Sequence, residues 1–183
     1  MQKFLIGLAV VALTGVAQAE RAYVGGALGM TSLKIDCTGT SDCKTHNSGA
    51  KLYAGLKLTP YLAGELAYAD FGKGSYTSGT ISGEGKVSAI IVDAAFRYAF
   101  VPEFVGILRV GAARVDSSGT ATVAGYPAQS VGDTEMKPYY GLGFEYHFDK
   151  HWSAVGAADY TKAQVGGVKA KIEMYSIGAQ VDF

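Results

Sequence analysis

After residue 16 the sequence has no apolar run approaching the roughly 18–20 residues that a membrane-spanning helix requires. Charge is scarce as well: Asp, Glu, Lys and Arg make up 17% of the chain, against a usual quarter. Formal net charge is zero, so nothing points to a nucleic-acid partner. Proline is down to 4 residues and cysteine to 2. What fills the space is 25 Gly, 12 Tyr and a hydrophobic share of 49%. A Gly-rich, Tyr-rich, charge-poor chain fits an exported strand protein, either an outer-membrane one or a secreted β-sandwich.

The N-terminus supports export. Lys3 gives a short basic region, residues 4–16 are apolar apart from small Gly and Thr, and Ala17-Gln18-Ala19 is a small-x-small cleavage site. Residues 1–19 are therefore expected to be a signal peptide, and residues 20–183 the mature domain. In an exported chain the isolated pair Cys37 and Cys43 reads as a disulfide. One nearby histidine, His46, and no other strong ligand argue against metal there.

Eight strand-like segments can be marked, at 22–33, 49–58, 62–71, 86–100, 105–115, 136–148, 152–161 and 169–183. Their connections alternate long and short, with the longest loop expected at 116–135. In the last segment Tyr175, Ile177, Ala179, Val181 and Phe183 alternate with small or polar residues, a period of two. Bacterial barrels have even strand numbers, short periplasmic turns and longer external loops. The expected fold is an all-β, eight-stranded antiparallel transmembrane barrel whose two ends follow that rule.

Parity sorts the faces. Leu52, Leu56, Leu66, Ile90, Val92, Phe96, Leu108, Val110, Leu142 and Phe144 share one side of their segments. Lys51, Glu65, Asp93, Arg97, Arg109, Glu145 and Asp159 take the other. A charge on the lipid face near the midplane costs about 2–4 kcal/mol, so these seven are expected to point inward and form a lumenal ion network. Glu65, Arg97, Arg109 and Glu145 fall in a lower layer, with Lys51, Asp93 and Asp159 above it. The first segment is ambiguous: Val24, Leu28 and Met30 are the lipid-facing choice, with Tyr23 and Leu33 of the other parity. Aromatics gather near segment ends. Tyr61, Phe100, Phe148 and Trp152 near the short turns, with Tyr68, Phe71, Tyr140, Tyr160 and Tyr175 near the long loops, suggest two interfacial girdles.

One arrangement invites a catalytic reading. His151-Trp152-Ser153 is a His-x-Ser pair of the kind found in outer-membrane lipid A deacylases. It falls at a short turn, the periplasmic end, and no Glu follows at a matching distance, so no enzyme, cofactor or catalytic residue is expected. The Ser/Thr/Gly-rich loops specify no ligand.

Tyr23-Val24-Gly25-Gly26, Gly64-Glu65-Leu66-Ala67-Tyr68, residues 109–116 and Tyr140-Gly141-Leu142-Gly143-Phe144-Glu145-Tyr146 resemble the OmpA-like transmembrane domain. The OmpX/Ail and opacity-protein families share its architecture. The resemblance implies a C-terminal signal, Tyr175, Val181 and Phe183, read by the barrel assembly machinery after delivery by periplasmic chaperones. It also implies Glu–Arg pairing in the lumen, matched in kind by Glu65 and Arg109. The chain stops at Phe183 without a peptidoglycan-binding domain, so wall anchoring is not implied. The expected protein is a monomer in outer-membrane lipid and lipopolysaccharide, structural or engaged with a host or cell-surface ligand through its loops. The alternatives are a narrow ion or small-solute channel and, outside the membrane, a lipocalin-like binder with an apolar interior.

Overall fold

The computed structural model describes residues 21–34, 42–44, 46–78, 81–123, 129–165 and 168–183. The expected signal peptide, residues 1–19, lies outside the described residues. So does Cys37, and with it the expected bridge to Cys43. Nine strands follow in order: β1 (Ala22–Lys34), β2 (Asp42–Lys44), β3 (His46–Thr59), β4 (Leu62–Ser78), β5 (Ile81–Val101), β6 (Phe104–Val123), β7 (Gln129–His147), β8 (Trp152–Val165) and β9 (Val168–Asp182).

All pairings are antiparallel. Around the wall the order is β4-β3-β1-β9-β8-β7-β6-β5, and a β4–β5 pairing returns to the start. This is the expected closed eight-stranded barrel, with β2 an extra piece laid against the outer end of β4. Closure removes the sheet edges that lipid could not satisfy. At the periplasmic rim the Phe183 N–H donates to the Ala22 carbonyl at 2.9 Å, joining last strand to first.

The short turns are tight. Pro60 and Tyr61 turn β3 into β4, and Pro102 and Glu103 turn β5 into β6. Between β7 and β8 the Asp149 carboxylate accepts from the backbone N–H of His151 at 2.7 Å and of Trp152 at 2.8 Å. These two bonds hold its carboxyl below the usual carboxylate range.

The long connections differ from their sequence reading. Composition marks 72–85 and 116–135 as loops, yet β4 and β5 stay paired out to Ser78↔Ile81, and β6 and β7 to Ala121↔Gln129. The register fixed in the membrane continues into water. Thr, Ile and Val in these arms suit a pleated surface, so the ladder outlasts the polar composition. Among the described residues of these arms one device breaks it. At Gly72, φ +83°, the β4 register shifts between Asp70 and Lys73, and the Gly72 N–H donates to Asp70 Oδ1 at 2.9 Å. A Cβ there would come within 2.6 Å of the Ser48 carbonyl oxygen, so glycine is required twice over.

Faces alternate along every stave. Leu52, Leu56, Leu66, Val92, Phe96, Leu108, Leu142, Phe144 and Ile177 are exposed on the outer wall, where lipid covers them. The ambiguity of the first strand is resolved: Val24, Leu28 and Met30 face out, while Tyr23 and Leu33 are buried inside. Tyr61, Phe100, Phe148, Trp152 and Phe183 are exposed at the periplasmic end, and Tyr68, Tyr140 and Tyr175 at the other, with Tyr160 half-exposed. Phe71 is a correction. It does not join the outer girdle but is only 2% exposed inside, because it shares the parity of Glu65 on β4.

Candidate functional site

The interior has two storeys. Toward the extracellular end Leu33, Phe71, Val87, Ala89, Ile91, Val115, Ile172 and Met174 form a packed apolar cluster. Toward the periplasm the lumen is filled by charged and hydrogen-bonded side chains. Arg109, 1% exposed, donates from Nε to Glu65 Oε2 at 2.6 Å and from Nη2 to Oε1 at 3.3 Å. Tyr23 adds a 2.6 Å bond to the same carboxylate. Arg97 donates from Nη1 to Glu145 Oε1 at 3.1 Å and from Nη2 to Oε2. Lys51 pairs with Asp159 at 2.5 Å, and Tyr139 donates to the other oxygen of that carboxylate at 2.5 Å. Lys57 pairs with Asp182, which Gln180 also reaches at 3.2 Å.

All four of these ion pairs join strands that are not neighbours in the wall: β6 to β4, β5 to β7, β3 to β8 and β3 to β9. They are cross-braces through the lumen. Two tyrosines fill the space between them. Tyr23 and Tyr53 meet edge to face at 6.4 Å, with Arg97 5.4 Å from the Tyr23 ring and Arg109 5.6 Å from that of Tyr53. Each ring lies over a glycine of the neighbouring strand. A Cβ on Gly25 would fall 2.3 Å from the Tyr53 ring, and one on Gly55 2.2 Å from that of Tyr23.

Of the seven ionisable residues expected inside, six stand in three of these pairs. Asp93 does not: it is 6% exposed, and neither carboxylate oxygen has a hydrogen-bond partner among the described residues. Sequence reading missed Tyr23, Tyr139, Gln180 and Asp182 as members of the network. Parity places Tyr139, Gln180 and Asp182 on the inward side, whereas Tyr23 lies on the ambiguous first segment and has no such signal.

The His-x-Ser pair is not brought together. His151 sits exposed in the turn, and Ser153 instead meets its register partner His147, Oγ to Nδ1 at 2.7 Å. His147 Nε2 is 3.7 Å from Glu145. The order serine, histidine, acid has the right residue types for ester cleavage, but Ser153 is 1% exposed and Glu145 is held by Arg97. A hydroxyl so buried presents no face to an ester carbonyl. Among the described residues no group of three or more His, Cys, Asp or Glu could hold a metal.

The second candidate surface is outside. β4 to β7 carry their hairpin arms well beyond the level at which β8 and β9 turn. β2 covers the β4 side of this raised sheet. On the other side β7 pairs with β8 only from Tyr140↔Tyr160 to His147↔Ser153, so residues 129–139 are in register with β6 alone. One cross-link persists above that level, Thr161 Oγ1 to the Pro138 carbonyl at 3.0 Å. The arrangement is a raised sheet with one edge unpaired among the described residues.

A closed wall with an apolar outside, aromatic ends and a charged lower lumen defines an integral outer-membrane β-barrel. The sequence matches the model of the outer membrane protein beta-barrel domain over residues 4–183, and the chain belongs to that family. Among solved structures, its fold is similar to that of Neisserial surface protein A: TM-score 0.67, 14% identity, 88% of this chain and 97% of that one. It is also similar to Ail, the attachment invasion locus protein of Yersinia pestis: TM-score 0.56, 15% identity, 88% and 98%. OprG from Pseudomonas aeruginosa gives TM-score 0.52, 16% identity, 91% and 97%. At these identities the likeness is one of fold. No curated protein matches the sequence.

Proposed function

We propose that the protein is a non-catalytic surface-interaction barrel, a membrane-held platform that presents its raised sheet to a host or neighbouring-cell ligand. The observation that carries this reading is the sheet of β4–β7, which rises above the opposite wall and offers the edge of residues 129–139. An unpaired edge is a template for an extended segment of a partner. Ail, similar in fold, has been solved with the heparin analogue sucrose octasulfate, which fits a surface role for barrels of this shape. The packed apolar storey and the cross-braced lower one weigh against an open pore as the main task.

Shortening the β6–β7 arms by replacing residues 117–134 with a tight turn tests the reading. The barrel should still show heat-modifiable gel mobility, while adherence of cells displaying it to a host-cell layer falls. Unchanged adherence with intact display would refute it.

The C-terminal strand supports a further role in assembly. Tyr175 and Phe183 are exposed on the lipid face, Val181 is half-exposed between them, and Phe183 closes the rim. Deleting Phe183 should lower the amount in the outer membrane and raise degraded or periplasmic chain. Unchanged levels would remove it as an assembly signal.

A further inference from the structure

Among the described residues of the lumen, Asp93 of β5 is the acid that the cross-braces leave out. It is 6% exposed, and neither of its carboxylate oxygens has a hydrogen-bond partner among those residues. An ionised carboxylate only accepts, so its oxygens require donors or a cation. The register makes the position more demanding. Asp93 is the register partner of Glu65 on β4, and register partners hold their Cβ atoms about 4.5–5.5 Å apart. Two like charges directly opposite one another destabilise a sheet.

The surrounding side chains do not supply the missing charge. Glu65, Arg109, Lys51 and Asp159 are the charged groups around Asp93, which makes three acids against two bases. One negative charge is left over. Lower down, Arg97 with Glu145 and Lys57 with Asp182 balance. Lys51 is bonded to Asp159, and Arg109 turns Nε and Nη2 to Glu65. The remaining Arg109 nitrogen, Nη1, lies on the β7 side, 3.0 Å from where a Cβ on Gly143 would stand. β7 and β5 flank β6 on opposite sides, so this nitrogen is directed away from Asp93. On β6 the register partner of Asp93 is Gly111, which sets bare backbone rather than a side chain beside the carboxylate.

We propose that the middle of the lumen is a binding site for one monovalent metal cation, held by the Asp93 carboxylate with Glu65 alongside. A buried charge is stable when it is paired or coordinates a metal, and carboxylate oxygens suit hard cations. One excess negative charge calls for one positive charge. Among the described residues no three acids converge, as the many oxygen ligands of a divalent ion would require. Ile91, the next inward residue above Asp93, belongs to the apolar storey, so the ion is held rather than conducted. The inference rests on the closed lumen and not on the proposed surface role.

The test unfolds the refolded full chain with urea in zwitterionic lipid vesicles, in sodium chloride or potassium chloride, with N-methylglucamine chloride keeping ionic strength constant. A ligand that binds only the folded state stabilises it by mass action. Above the Kd of the ion, each tenfold rise in one of the two metal ions should lower the apparent unfolding constant about tenfold. Asp93→Asn, close in size, should remove this response, and Glu103→Gln, in an exposed periplasmic turn, should keep it. Native mass spectrometry should count one more retained ion on the wild type than on Asp93→Asn. Heat-modifiable mobility shows that each variant is folded. No response of the wild type to either ion overturns the site without any variant, and so does a full response in Asp93→Asn. Stability that follows pH but neither ion places a proton on Asp93 and overturns the cation.

Discussion

Replacing Arg109 by alanine is expected to destabilise the barrel by about 3–5 kcal/mol, one of the two largest effects the structure supports. Removing one member of a buried pair leaves the other charge without a partner. Glu65 would keep its bond from Tyr23 but lose both bonds from the guanidinium. Arg109 also braces β6 to β4 across the lumen, so its loss detaches two staves that share no ladder. The paired change Glu65→Gln with Arg109→Met should cost clearly less, since it removes the charge imbalance along with the brace. Urea unfolding in lipid vesicles reads this out through Trp152, the single tryptophan of the chain. A loss below about 1 kcal/mol for Arg109→Ala would mean that the pair is not a brace.

The second large effect belongs to the outer wall. Leu142 is exposed on β7, about 15 Å above Phe148 by strand rise and tilt, which places it near the middle of the apolar band. Leu142→Arg should cost about 2–4 kcal/mol in a bilayer, whereas Phe148→Arg, at the interface, should cost about 0–1 kcal/mol for the charge itself. The depth dependence is the informative part. Equal costs at the two positions would contradict the placement of the bilayer on this wall. A charge at either place in an aqueous protein would cost little, so the comparison also tests the membrane assignment directly.

Parity made most of the wall legible from sequence, and for a physical reason. Lipid penalises charge on one face so strongly that a single Glu, Asp, Lys or Arg within the apolar band fixes the orientation of its strand. Where that marker is lacking, the reading fails. β1 has no ionisable residue before Lys34, and Tyr23 and Val24 look equally apolar, so nothing local distinguishes its faces. The answer came from β4, whose Glu65 accepts the Tyr23 hydroxyl. Phe71 was misplaced through trust in position near a strand end, although its parity with Glu65 carried the right answer.

Pairing was less legible. Arg109 finds Glu65, Arg97 finds Glu145 and Lys51 finds Asp159 across the lumen, where strand order, stagger and side-chain length decide the partner. One sequence contains no record of those distances. The extracellular arms were missed for another reason. Ser, Thr and Gly mark turns in short-range statistics, but a register already set over a membrane-deep hairpin extends through such residues at little cost. The His147–Ser153 contact is similar: it is a register pair across the 148–151 turn, hidden because a sequence motif had drawn attention to His151.

The unequal height of the wall gives the molecule a compass bearing within the plane of the membrane. An ordinary cylinder looks the same to every neighbour, but here β4 to β7 stand tall while β8 and β9 turn low. A visitor from outside therefore meets an asymmetric harbour, sheltered by protein on the β4–β7 flank and lower on the β8–β9 flank. Which direction a barrel faces in a crowded leaflet then becomes a property that its neighbours can sense.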